Sequence, residues 1–221
     1  MKTSAYTAFT SLSYRVINIV GAVVFLLIGF LLKYYIGDIG TVILSCMMPI
    51  ALSFADFFAF SGTSARKQRT MNYMKSSLNG AGLFREALKT DLLIKNICIL
   101  AGFLGYFLAT LIGSPDSLEF SDTILVMLIY LPVAQVTLHV TLIISRRIAL
   151  TLATQTMVCY LCSMISTILL FIYSFMLPEH MTDFTMYIVI MFVILEIVGV
   201  VCGILLYRDC KKGYDSSFTD T

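Results

Sequence analysis

Six apolar runs, most of about 20 residues or longer, divide this chain, and they constrain its fold more than any other feature. A helix needs about 20 apolar residues to cross the hydrocarbon core of a bilayer. The runs fall at 16–36, 40–61, 92–112, 122–144, 149–177 and 184–207. Lipid offers no water to backbone N–H and C=O groups, so each run must close its hydrogen bonds internally as a helix. The expected fold class is therefore all-α: a polytopic membrane protein with six transmembrane helices in one domain over 1–221. Composition agrees, since 59% of residues are apolar and 13% charged, against about a quarter charged in soluble domains.

Sidedness follows from where the cations stand. Of the 15 Lys and Arg residues, all but Lys33 fall in alternate connections or at their borders: Lys2, Arg15, Arg66, Lys67, Arg69, Lys75, Arg85, Lys89, Lys95, Arg146, Arg147, Arg208, Lys211 and Lys212. Cationic flanks resist translocation, which predicts a cytoplasmic location for that face and for both termini. The opposite connections, 37–39, 113–121 and 178–183, hold no Lys or Arg, and they or their flanks carry Asp38, Asp116, Glu119, Asp122, Glu179 and Asp183. Lys33 stands beside Tyr34 and Tyr35, a setting in which its ammonium snorkels to the headgroups. The first run ends without a small-residue cleavage site and reads as a retained anchor. The plasma membrane is the expected location.

Composition also narrows the function. No surplus of cations remains for nucleic acid. Five of the six cysteines lie in apolar runs, where they act as small hydrophobes. Cys159 and Cys162 form a C-x-x-C without polar neighbours to activate a thiolate. No G-x-x-x-x-G-K-[ST], H-E-x-x-H or G-x-S-x-G occurs, so no phosphate loop, zinc helix or nucleophile elbow is present. The chain reads as a non-enzyme, with no cofactor, metal or catalytic residue expected.

The connection 62–91 is the one sizeable extramembrane segment. Its first part, 64–75, is basic and helix-compatible. Ser76 to Gly82 then supplies turn chemistry. From Leu83, the apolar residues Leu83, Phe84, Ala87, Leu88 and Leu92 recur at helical spacing, with Arg85, Glu86, Lys89 and Asp91 on other faces. Such a stripe suits a groove on a cytoplasmic partner.

In its Arg-Lys-x-Arg-Thr, Met-Lys-Ser-Ser-Leu-Asn and Leu-Phe-Arg-Glu-Ala-Leu-Lys phrases, the stretch from Ser64 to Thr90 resembles the loop between helices two and three of membrane subunits of type-2 ABC exporters. The six spans and internal termini are similar too. The resemblance implies a coupling helix over Met74 to Lys89, docking a separate ATPase subunit through Met74, Leu78, Leu83, Phe84, Arg85 and Leu88. It also implies a second membrane-spanning half, identical or related, and an amphipathic or hydrophobic substrate: a peptide, lipid or drug. The sequence departs from many members by having Asn79-Gly80 where a Pro-containing turn is common, and by lacking a large outer domain. A compact solute-binding subunit of a vitamin-uptake system, and a non-transporting accessory or immunity protein, are the alternatives.

Polar residues inside the runs form a further candidate set. Asp56, Gln135, His139 and Glu196 stand where an ionised side chain costs several kcal/mol, so each is expected to face the bundle or a wet cavity. Asp56 and His139 lie at comparable depth and are expected to pair if spans two and four adjoin. Glu196 has no basic residue at its own depth.

Overall fold

The computed structural model describes residues 12–37, 39–57, 80–113, 117–148, 152–176 and 185–216. These form six α-helices, with no strand among the described residues: α1 (Leu12–Ile36), α2 (Ile39–Asp56), α3 (Gly80–Gly113), α4 (Ser117–Ile148), α5 (Leu152–Met176) and α6 (Thr185–Ser216). Five are long and apolar enough to cross a membrane, over Tyr14–Ile36, Ile39–Asp56, Glu86–Gly113, Thr123–Ser145 and Met186–Leu206. In α5 the described apolar stretch covers Leu152–Ile168. The chain is an all-helical, membrane-embedded protein.

Cross-helix contacts fix the direction of each helix. Tyr14 meets Asp91 and Asn18 meets Cys98, so α1 and α3 run the same way. Ser53 meets Cys159 and Cys46 meets Thr167, so α2 and α5 are antiparallel. Ser145 meets Gln155 and Thr137 meets Ser166, which sets α4 against α5. The starts of α1, α3 and α5 and the finishes of α2, α4 and α6 therefore gather at one end. Arg15, Arg85, Lys89, Arg146, Arg147, Arg208, Lys211 and Lys212 occupy helix positions near that end, whereas Glu119 and Asp122, at the start of α4, and Lys33 lie near the other. We call these the basic and the acidic ends.

α4 is the central post. It packs on α2, α3, α5 and α6, and its Leu125, Ile129, Ala134, Leu138 and Leu142 are buried. α2 supplies Leu44, Met48 and Leu52 to the same core, and α3 supplies Cys98, Ile99 and Phe103. α1 and α6 are peripheral and expose Ile17, Val20, Val24 and Leu27, and Ile190, Ile194, Ile197 and Val201. Such surfaces belong in lipid, where apolar exposure carries no penalty.

Small residues bring α1 and α3 together. A Cβ on Gly29 would collide with the Gly102 carbonyl, and one on Gly105 with the Leu26 carbonyl. Where backbones approach this closely only glycine fits, the packing device expected between helices in a membrane. Half of it stands in the sequence: Ala101, Gly105, Ala109 and Gly113 recur at every fourth residue on α3, whereas α1 carries no such series. Gly37 ends α1: at φ +73 it takes the left-handed conformation, and its N–H reaches the Lys33 carbonyl at 3.1 Å. Gly40 then bonds back to Gly37 at 3.0 Å, so α2 reverses direction at once.

The expected turn over 76–82 ends earlier than the sequence suggests. Gly80, Ala81 and Gly82 already belong to α3. The first-turn N–H groups of a helix lack intrahelical partners in any case, so glycine at the start of α3 sacrifices few bonds. The surface helix expected from Leu83 and the third span are one rod, 34 residues long and about 50 Å from end to end. Lys33 also departs from expectation: its ammonium sits 5.3 Å from the ring centre of Tyr106 on α3, a cation–π contact, while Tyr34 and Tyr35 are exposed.

Candidate functional site

Three buried ionisable side chains and a phenol tie α1, α2 and α3 together towards the basic end. Asp56 closes α2. Asp91 and Lys95 stand four residues apart on α3, so both project from one face. The Lys95 ammonium reaches Asp56 Oδ1 at 2.6 Å and also pairs with Asp91. Tyr14 on α1 donates its hydroxyl to Asp91 Oδ1 at 2.8 Å. Lys95 and Asp91 are 0% exposed and Asp56 3%. Two carboxylates thus share one ammonium in a dry setting, where each charge depends on its partners.

This corrects two expectations. Asp56 does not pair with His139, although α2 and α4 do adjoin, because Lys95 on α3 takes the carboxylate while His139 bonds Gly199 and Asn96. Lys95 is in turn no surface cation that merely sets topology. The sequence signal was available: Asp91 and Lys95 at i and i+4, inside a helix that continues into an apolar run, mark one face with both signs.

His139 belongs to a second group, joining α3, α4 and α6. Its Nδ1 lies 3.0 Å from the Gly199 carbonyl, and Nε2 lies 3.3 Å from the Asn96 amide nitrogen. A carbonyl only accepts and an amide NH₂ only donates, so Nδ1 carries the proton and Nε2 accepts. The second Asn96 proton goes to the Leu92 carbonyl at 2.8 Å.

A third group joins α2, α4 and α5. Gln155, 0% exposed, donates to the Ser53 carbonyl at 3.2 Å, to Ser53 Oγ at 3.1 Å and to Cys159 Sγ at 3.3 Å. Its carbonyl accepts from Ser145. Cys159 also contacts Ser53 Oγ at 2.8 Å. The first residue of the C-x-x-C is thus engaged in helix packing.

The expected docking residues divide. Met74 and Leu78 lie outside the described residues. Leu83, Phe84 and Arg85 occupy the first two turns of α3, before its membrane-compatible stretch starts at Glu86. Leu88 is buried, 7% exposed, and Ala87 is fully buried, so these side chains pack within the chain. Leu88 thus drops out of the expected docking stripe. Gln135 on α4 and Glu196 on α6 are part-exposed, and neither joins any of the three groups.

Among the described residues, no three His, Cys, Asp or Glu side chains are placed to hold a metal ion. The three polar groups are cross-braces: each links three helices by charge or hydrogen bond at the basic half of the bundle. Compared with protein-family models, curated proteins and solved structures, the chain matches none.

Proposed function

We propose that this chain is the membrane-spanning subunit of an ATP-driven exporter of the plasma membrane, energised by a separate cytoplasmic ATPase that docks on the basic end. One observation carries the reading. α3 is a single helix running from the 62–91 segment through Leu83 and Phe84 to Asp91 and Lys95, where it is locked to α1 and α2. A push or tilt applied at the start of such a rod reaches the buried ionic joint without a hinge in between. A loop that only set topology would need no such connection. The resemblance of Ser64 to Thr90 to exporter coupling loops supports the same assignment, and the small size of one six-helix bundle supports a second half, with the substrate path between the two.

The reading is tested by co-purification. Expressed with candidate ATPase subunits, the protein is expected to retain one through affinity capture in mild detergent. Leu83→Glu combined with Phe84→Glu is expected to reduce recovery of that subunit to background, with the bundle still monodisperse. Leu88 is left intact because it is buried. Undiminished capture by the double variant removes the docking claim.

A further inference from the structure

Gln135 on α4 and Glu196 on α6 have no hydrogen bond or ion pair to another described residue, and each lies about one helical turn from the His139–Gly199 contact. Gln135 precedes His139 by four residues on α4, so it lies on the same helix face one turn away. Glu196 precedes Gly199 by three residues on α6 and lies one turn from the carbonyl that His139 engages. Val136 and His139 lie beside Gly199 and Gly203, so α4 and α6 run the same way and Gln135 and Glu196 both lie about one turn nearer the acidic end than the His139–Gly199 bond. α3 borders the same seam: it touches α6, and its Asn96 bonds His139. Both side chains are part-exposed, in contrast to the buried and fully engaged Lys95, Asp91 and Gln155.

Glu196 occupies the middle of the apolar stretch Met186–Leu206. A carboxylate at that depth is costly against lipid tails, and intramembrane acids as a rule line a path or meet a partner. Phe192 and Val200, one turn to either side of Glu196 on α6, offer apolar surface around the carboxylate. The seam therefore combines an anionic acceptor, a neutral amide and an apolar wall.

We propose that the α4–α6 seam at Gln135 and Glu196 binds the protonated amine of a cationic amphipathic molecule, whose apolar body lies against α6. The Glu196 carboxylate and the Gln135 carbonyl accept from the ammonium, a charge-assisted pairing that water does not compete for at this depth. The site names a substrate class for the exporter proposed above and rests on that reading for its role. Binding itself needs no ATPase.

The test uses the full chain in nanodiscs of zwitterionic lipid, with empty nanodiscs as background. The probes are a dansyl-labelled long-chain primary amine and the same compound with its amine acetylated. The wild-type protein is expected to bind the amine saturably and about tenfold more tightly than the acetylated probe, the scale of one charge-assisted hydrogen bond. Glu196→Gln is expected to erase that preference without weakening the acetylated probe, Glu196→Asp to keep it, and Gln135→Leu to reduce it several-fold. Equal binding of the two probes, or a preference that survives Glu196→Gln, overturns the site. So does a change of oligomeric state in Glu196→Gln with probe binding unaltered, which assigns the seam to a second copy. An intact amine preference with no ATPase captured sinks the exporter reading and leaves the site standing; the reverse result does the opposite.

Discussion

At the scale of single residues, the bundle is braced by charges and amides that are costly to leave alone. Lys95→Met takes the shared ammonium from the buried Asp56 and Asp91 carboxylates, and removing one partner of a buried ion pair costs about 3–5 kcal/mol. Its thermal unfolding midpoint in detergent is expected to drop well below wild type. Adding Asp56→Asn and Asp91→Asn is expected to recover much of the loss, because the side chains that lost the ammonium are then neutral. If the triple variant is less stable than Lys95→Met alone, the cluster does not act as an ionic joint. Gln155→Leu is expected to cost less, about 1–3 kcal/mol for the donors and acceptors it abandons, read from the same melting curves. Asp56 was recognisable from sequence as a polar residue needing a partner. The Asp91–Lys95 spacing marked an ion pair but not that Asp56 joins it, because Lys95 stands only six residues beyond Lys89 and reads as one more inner cation. Burial, which sequence does not display, separates the two.

At the scale of helices, apolar periodicity and length were enough to find all six elements, and the turn at Gly37 to Gly40 could be read from its glycines and aspartate. Which helices touch was not legible. The close approach of α1 and α3 depends on Gly29 and Gly105, each facing the other helix's backbone across the interface. α3 carries a small-residue series at Ala101, Gly105, Ala109 and Gly113, but α1 offers none to match it. Gly105→Leu is expected to force α1 off α3 and lower the yield of folded, monodisperse protein in size-exclusion chromatography. Gly21→Leu, where a Cβ meets nothing within 4 Å, is expected to behave as wild type. Equal behaviour of the two variants would show that the close contact does not hold the helices together. The continuity of α3 was also hidden: Asn79, Gly80 and Gly82 read as a break, yet a helix start tolerates glycine, and the rod begins at Gly80.

At the scale of the whole molecule, alternating helix directions sort the chain into a basic and an acidic end, with the Lys95 joint towards the first. The exporter reading, the docking role of Leu83 and Phe84, and the push along α3 all require the basic end to face the cytoplasm. Cysteine labelling decides this most directly. In a Cys210→Ser background, Arg85→Cys and Tyr34→Cys are each treated with a membrane-impermeant maleimide, first on intact cells and then on opened ones. Tyr34→Cys is expected to label in intact cells and Arg85→Cys only after opening. Labelling of Arg85→Cys from outside would invert the molecule and contradict the account.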